Sequence, residues 1–450
     1  MMRFVETLKN IWTIQELRQR LLITFMLVFI YRLGCYVVLP GISPSDIDAL
    51  ASFTNKTGLM QLLDMFSGGA FSQASIFALG IMPYITASIV IQLCGMILPS
   101  FQKMQREGES GRQKLNQYTR YLTVLILFMQ APAYLLNIQA QVSNMAHGSA
   151  LHMGFWTVVY LTIILAAGSM FIMWLGERIT DRGIGNGISF IILVGIIARL
   201  PGALMYEFGS RMPNSSGSPG GLVMFIVEIV LLFAVTVGAI LLVQGTRKVP
   251  VQYAKRIVGN RQYGGARQYI PLKVNAAGVM PIIFAQAIMF IPMTLAGFRG
   301  AENGFVHAFT DINGFWYNFV FFILIVAFTY FYTAITVRPT QMAEDMKRNN
   351  GFIPGVKPGK KTAEYLDAIM SRITLPGSIF LGIVAILPAF ARFFGISQNF
   401  AQFFGGTSLL IMVGVVLDTL QQVESHLMMH HYDGLMKEGK IKGRTTGQAY

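Results

Sequence analysis

Ten stretches of mostly apolar residues run through the chain, at roughly 21–39, 74–99, 121–139, 155–175, 188–206, 222–243, 276–297, 315–337, 378–395 and 404–423. Each is near the length a helix needs to cross a hydrocarbon core, about 20 residues. Hydrophobic residues make up 54% of the chain and charged residues 12%, where an ordinary soluble domain carries about 25% charged residues. A soluble fold could not hide that much apolar surface, so the solvent for most of this chain is lipid. Pro83, Pro132, Pro281 and Pro388 fall inside these stretches. That argues little against helices, because membrane spans tolerate proline.

The basic residues orient these spans. Of the 35 Lys and Arg residues, 29 lie in the N-terminal segment, in the stretches after spans two, four, six and eight, and in the tail. The opposite side holds only Lys56, Arg211, Arg299 and Arg392, while Arg32 and Arg199 fall inside spans or at their outer ends. Basic residues near span ends stay cytoplasmic, so both termini are expected in the cytoplasm, as an even span count requires. Residues 1–20 are basic and amphipathic, with Ile11, Trp12, Ile14 and Leu17 against Lys9, Arg18 and Arg20. They read as a helix on the membrane surface and not as a cleavable signal. Cys35 and Cys94 lie inside spans one and two and read as small apolar packing residues.

Five spans precede the outward loop near residues 215–221 and five follow it, so the two halves cross the membrane in opposite senses. Inverted halves characterise membrane conduits with a site near the midplane. One segment breaks the pattern. Leu59-Met60-Gln61-Leu62-Leu63-Asp64-Met65-Phe66 is too short to cross and too apolar for a solvated loop. Ser67-Gly68-Gly69-Ala70-Phe71 then permits a sharp turn toward span two. Two placements fit it: a half-helix on the outer surface, or a short helix folded back into a central cavity.

Several classes find no support. There is no HExxH, no GxSxG and no convergent His or Cys cluster, so the sequence calls for no catalytic residue, metal or cofactor. Gly355-Val356-Lys357-Pro358-Gly359-Lys360-Lys361-Thr362 has the wrong spacing for a phosphate loop and no expected preceding strand. Gly183-Ile184-Gly185-Asn186-Gly187 opens a membrane span and reads as a tight turn. A ten-span transporter for a small anionic solute would want ionisable residues in its spans. Arg32, Glu228 and Asp418 form no spaced motif, and each reads as a helix contact or interface anchor. The uncharged set Gln92, Gln130 and Gln286 suits interhelical hydrogen bonds, in a seam that opens or in ordinary packing.

The stretches 245–274 and 338–376 carry seven basic residues each and show weak helical periodicity. Such patches fit anionic membrane lipids, nucleic acid or an acidic protein surface. Their length favours docking of a large partner, for which an RNA-rich machine such as the ribosome supplies dense phosphate charge.

A run of short blocks resembles the SecY family of protein-translocase channels. Gly80-Ile81-Met82-Pro83-Tyr84-Ile85-Thr86-Ala87-Ser88-Ile89 is similar to its second-span signature. Further blocks follow in the family's order: Met65–Ala70, Glu107–Arg112, Arg182–Ser189, Tyr253–Arg256, Pro271–Asn275 and Gly405–Leu410. The resemblance implies an all-α membrane protein of ten transmembrane helices, in two inverted five-helix halves around an hourglass pore with a short plug helix. The halves would be 21–206 and 222–423, the plug 59–71, and the cytoplasmic ends 1–20 and 424–450.

It further implies a ring of apolar side chains at the waist, at Ile81, Ile85, Ile188, Ile192, Met280 and Ile411, with Ile283 an alternative to Met280. The pairs four apart share a helix face, as core packing would also produce. The plug would comprise Leu59, Leu62, Leu63, Met65, Phe66, Ser67, Gly68 and Gly69. A lateral gate at spans two and seven, with Ser88, Gln92, Gln130 and Asn275, would release apolar segments into lipid. Arg247, Lys248, Lys255, Arg256 and Lys357 would dock partners. Lys357 stands where the family usually has Arg, keeping the charge and losing the planar fork. The implied partners are SecE and SecG subunits, a SecA motor ATPase, the ribosome, signal sequences and nascent polypeptides. The chain itself would be a passive conduit in the bacterial plasma membrane, not an enzyme.

Overall fold

A computed structural model describes residues 14–43, 50, 63–145, 154–212, 221–253, 256–258, 261–263, 267–299, 314–393 and 395–437. Leu59, Leu62, Lys255 and residues 1–13 lie outside them. Every apolar stretch read from the sequence coincides with a helix. These are α1 (Gln15–Gly34), α2 (Met82–Ile97), α4 (Glu109–Met145), α5 (Phe155–Arg182), α6 (Gly187–Ser210), α7 (Gly221–Gln244), α8 (Met280–Arg299), α9 (Phe315–Thr336), α11 (Lys360–Phe393) and α13 (Gly406–Lys437). Among the described residues, seven helices are long and apolar enough to cross a membrane. An eighth results if α2 and the short α3 (Pro99–Arg106), bent by 102° at Leu98, count as one span. Pro99 makes that bend, since it cannot donate the hydrogen bond that would continue α2.

Helix starts differ from the sequence reading. Span two was expected from residue 74, yet 74–81 are turns and α2 begins at Met82. Pro83 and Pro281 therefore sit in first turns, where a missing N–H costs nothing. Pro132, Pro376 and Pro388 lie within helices.

Two Gly-Phe-Trp sequences start α5 and α9. In each, the aromatic pair is exposed and packed edge to face, with centroids 5.8 Å apart at Phe155–Trp156 and 5.9 Å at Phe315–Trp316. The indole N–H makes each tryptophan amphipathic, and such rings belong at a membrane–water boundary.

The described residues of the two basic stretches include β-strands, which corrects the all-α expectation. The first is a hairpin of β1 (Thr246–Tyr253) and β4 (Arg267–Lys273), antiparallel from Thr246↔Lys273 to Gln252↔Arg267. Strands β2 (Arg256–Val258) and β3 (Arg261–Tyr263) pair with each other between them. The second stretch supplies α10 (Pro339–Arg348), β5 (Gly351–Phe352), which pairs with the end of β1, and the first half of α11. Val249, Val251, Leu272, Met346, Ile353, Leu366 and Met370 bury one another into a small core. Alternation along β1 turns Val249 and Val251 inward and leaves Lys248 and Pro250 outside. The ninth span, read as 378–395, is the latter part of a 34-residue helix, and the short α12 (Gln398–Ala401) follows it.

The chain divides into two compact units. One holds 1–54, 62–199 and 415–450, the other 55–61 and 200–414, so the division falls inside α6 and inside α13.

Candidate functional site

The apolar segment before span two is held by a dense set of hydrogen bonds within the first unit. Residues 63–66 form one helical turn, followed by turns through Ile81. Gly68 and Gly69 take φ of 66° and 96°, the left-handed region that only glycine enters cheaply. The segment closes on itself: the Gly69 N–H donates to the Asp64 carbonyl at 2.8 Å, and the Ser72 N–H donates to Asp64 Oδ1 at 2.7 Å. Ser67 Oγ donates to the Asp64 carbonyl and accepts from the Phe71 N–H. Residues 64–72 are buried.

Three helices hold it. From α1, Tyr31 Oη donates to the Ser67 carbonyl at 3.2 Å and Arg32 Nη1 to the Gly68 carbonyl at 2.8 Å. From α4, Tyr134 Oη donates to the Phe71 carbonyl at 2.9 Å. On α6, Gly195 lets the two backbones touch, because a Cβ there would lie 3.0 Å from the Phe66 carbonyl oxygen and 3.2 Å from the Gly68 nitrogen. One turn on, Arg199 Nη2 is hydrogen-bonded to Asp64 Oδ2 and donates to Ser72 Oγ at 2.7 Å. Residues 64–72 are thus enclosed within the first unit, while Leu59–Leu62, where the apolar segment begins, lie outside the described residues.

The expected ring positions lie at helix starts. Ile81 caps α2 and Ile85 is one turn on; both are buried. Ile188 and Ile192 are in the first two turns of α6, with Ile192 buried and Ile188 resting on Gly176 of α5. The turn before α6 is built to start it there. Asn186 Oδ1 accepts from the Ile188 and Ser189 N–H groups, and the Gly185 N–H donates to Gln422 Oε1 at 2.9 Å. A Cβ on Gly187 would lie 2.0 Å from the Gly176 carbonyl oxygen. In the other unit, Met280 opens α8 half-buried, Ile283 is equally half-buried, and Ile411 is buried in α13.

The remaining positions are spread more widely. Gln92 Nε2 donates to Ser88 Oγ at 3.3 Å on α2, and Gln130 is half-buried on α4. Asn275 is buried, and its Nδ2 donates to the Gly278 carbonyl at 3.1 Å, so it braces the turn before α8. Arg247 and Lys248 are exposed on β1, Arg256 lies in β2, and Lys357 is exposed before α11. Gly355 and Gly359, with φ of 85° and 99°, make this a turn closed by Thr362 Oγ1 on the Lys357 carbonyl at 3.0 Å. A two-residue strand precedes that turn, where the sequence suggested none. Cys35 and Cys94 are free thiols.

Sequence reading missed two ion clusters. One is Arg199 with Asp64, 135 residues apart. The other, in the second unit, joins Arg211 to Glu207 at 3.0 Å and to Glu228 at 2.6 Å, with all three side chains 1% exposed. Only the i, i+4 spacing of Glu207 and Arg211 was a readable signal.

A sequence model of the SecY family matches residues 75–420. The protein translocase subunit SecY of Streptomyces griseus is 41% identical over 432 residues, covering 94% of this chain and 97% of the relative. That of Chlamydia muridarum is 40% identical over 460 residues, covering 97% and 99%. Among solved structures, one described as a protein-conducting channel aligns with a TM-score of 0.62 at 18% identity, covering 91% of this chain and 92% of the other. Canine Sec61 in a ribosome–channel complex aligns with a TM-score of 0.58 at 17% identity, covering 91% and 92%.

Proposed function

The chain belongs to the SecY family, and on that premise we propose how it works as the channel subunit of a protein translocase. It is a multi-pass membrane protein, and all ten apolar helices cross the bacterial plasma membrane with both termini in the cytoplasm. Ile81, Ile85, Ile188, Ile192, Met280 and Ile411 form a deformable greasy constriction, and the segment around residues 63–71 plugs it. The reading of the plug rests on the burial of residues 64–72 and on the three helices that hold them.

An arriving signal sequence inserts at a seam that includes Ser88, Gln92, Gln130 and Asn275. Its apolar burial, about 0.8 kcal/mol per CH₂, offsets the opening of that seam. The plug then leaves, an unfolded chain threads the constriction, and apolar segments exit sideways into lipid. The chain performs no chemistry; a SecA-type motor ATPase or the ribosome supplies the drive. These partners dock on the exposed Arg247, Lys248 and Lys357, with Lys255 and Arg256 on the same hairpin, and SecE- and SecG-type subunits complete the complex.

Site-specific photocross-linking tests the conduit. A photoreactive residue at Ile85 or Ile192 should capture a stalled secretory chain, whereas one at the exposed Phe233 of α7 should not. Capture at Phe233 without capture at Ile85 and Ile192 overturns the proposed path.

A further inference from the structure

The bonds that hold the 63–72 segment are of two kinds. Tyr31 and Tyr134, both buried, and Arg32 reach backbone carbonyls. Arg199 instead reaches a carboxylate, and its side chain is 38% exposed while that of Asp64 is 7% exposed. Asp64 divides its two oxygens. Oδ1 serves the segment's own Ser72 N–H, and Oδ2 is left for Arg199. Without Arg199, a nearly buried carboxylate oxygen would lose its charged partner, which costs more than losing a neutral hydrogen bond. The Arg199 side chain is only partly covered by the unit, so the pair is not locked in as a fully buried one would be.

Position on α6 adds a second element. Ile192, Gly195 and Arg199 stand at i, i+3 and i+7, one stripe of a single helix. The helix face that carries a constriction residue also carries the glycine against which the segment lies and the arginine that clasps it. A displacement of α6 that widens the constriction at Ile192 therefore drags Arg199 against Asp64.

We infer that Arg199 is a positioning residue: through Asp64 and Ser72 it clasps the 63–72 segment to α6, and release of the clasp sets how often the segment leaves its place. This rests on the reading of that segment as a plug. The clasp is specific to the charged pair, so an uncharged residue on either side loosens it, whereas lysine at 199 keeps it.

The test uses the full chain in its translocase complex, reconstituted in planar bilayers without substrate. Deletion of residues 63–71 should raise resting ion conductance. Arg199→Gln and Asp64→Asn should each raise the fraction of time spent conducting by about tenfold, in keeping with a hydrogen bond to a charged group. The double variant should be no worse than either single one, and Arg199→Lys should restore the resting level, a rescue that a general loss of stability would not show. If the deletion raises conductance but Arg199→Gln and Asp64→Asn do not, or their effects add, the clasp is overturned and the plug reading stands. An unchanged conductance on deletion removes the plug reading and the clasp with it.

Discussion

Arg199 and Arg211 stand twelve residues apart on and just beyond α6, and both bind carboxylates, but the two clusters are built for different purposes. Arg211 faces two carboxylates with every side chain 1% exposed. It also donates to the Gly395 carbonyl at 2.9 Å, and Glu207 Oε2 accepts from the Ser397 N–H at 3.1 Å. That cluster ties the end of α6 to α7 and to the turn after α11. Arg199 meets one carboxylate, with more than a third of its side chain uncovered by the protein. Identical chemistry thus yields a rivet where it is fully buried and several-fold bonded, and a releasable clasp where one partner is only partly covered. Burial and bond number, not residue type, separate them.

The largest contrast comes from truncating each arginine. Arg211→Ala strands two buried carboxylates, and breaking a buried pair in this way costs about 3–5 kcal/mol. Arg199→Ala takes the charged partner from one carboxylate oxygen only, and costs about 1.5–3 kcal/mol. Chemical unfolding of the purified protein in detergent, followed by tryptophan fluorescence, measures both. Equal losses would abolish the distinction.

Glycines beside the two clusters give a mid-sized effect. Gly69 takes φ of 96°, and a Cβ there would lie 3.1 Å from the Arg199 guanidinium. Gly69→Ala should therefore strain the segment by about 1–3 kcal/mol and lower hydrogen-exchange protection at Gly69, Gln73 and Ser75, whose N–H groups are bonded inside it. Gly209 lies between Glu207 and Arg211, and a Cβ there would meet nothing within 4 Å. Gly209→Ala should be neutral or stabilising by up to about 1 kcal/mol, the ordinary helix preference for alanine. Loss of protection from Gly209→Ala equal to that from Gly69→Ala would mean that the segment's packing against α6 is no tighter than the rivet's surroundings.

Much of this architecture was legible because lipid enforces a simple code. Apolar length marks a helix, so all ten stretches coincide with one, and glycine doublets mark turns, as at Gly68–Gly69. Where water is the solvent the code weakens. The β1–β4 hairpin offers few inward positions, chiefly Val249, Val251 and Leu272, too few to stand out among Arg, Tyr and Gly. Residues 360–376 look like loop because charges and Pro376 interrupt the apolar run, although α11 continues through them. The turns at 74–81 hid inside an apolar stretch because burial, which sequence shows, does not specify backbone conformation. The Asp64–Arg199 pair left no trace at all, since contacts 135 residues apart have no period. Of the expected site, Ile81, Ile85, Ile188, Ile192 and Met280 could be named only through the family resemblance, and the helix starts at Met82 and Met280 were not readable, since spans two and seven looked apolar from 74 and 276. Nor were the bonds that hold the segment in place.

The smallest effect is the most discriminating. Arg199 places both of its hydrogen bonds through one nitrogen, Nη2, and its buried Nε has no partner among the described residues. A lysine ammonium is a point charge with three donors, and a single nitrogen is what Asp64 and Ser72 use. Arg199→Lys should therefore shift stability by under about 0.5 kcal/mol, the range of changes that break no buried network. Arg211 instead spreads its bonds over Nε and Nη2 to reach Glu207, Glu228 and the Gly395 carbonyl at once. One ammonium cannot span that fork, so Arg211→Lys should cost about 1.5–3 kcal/mol, the loss of a bond to a charged group. Thermal denaturation in detergent resolves the pair. An Arg199→Lys protein as unstable as Arg211→Lys would show that the guanidinium plane, and not the charge alone, holds the segment, and the two arginines would then be rivets alike.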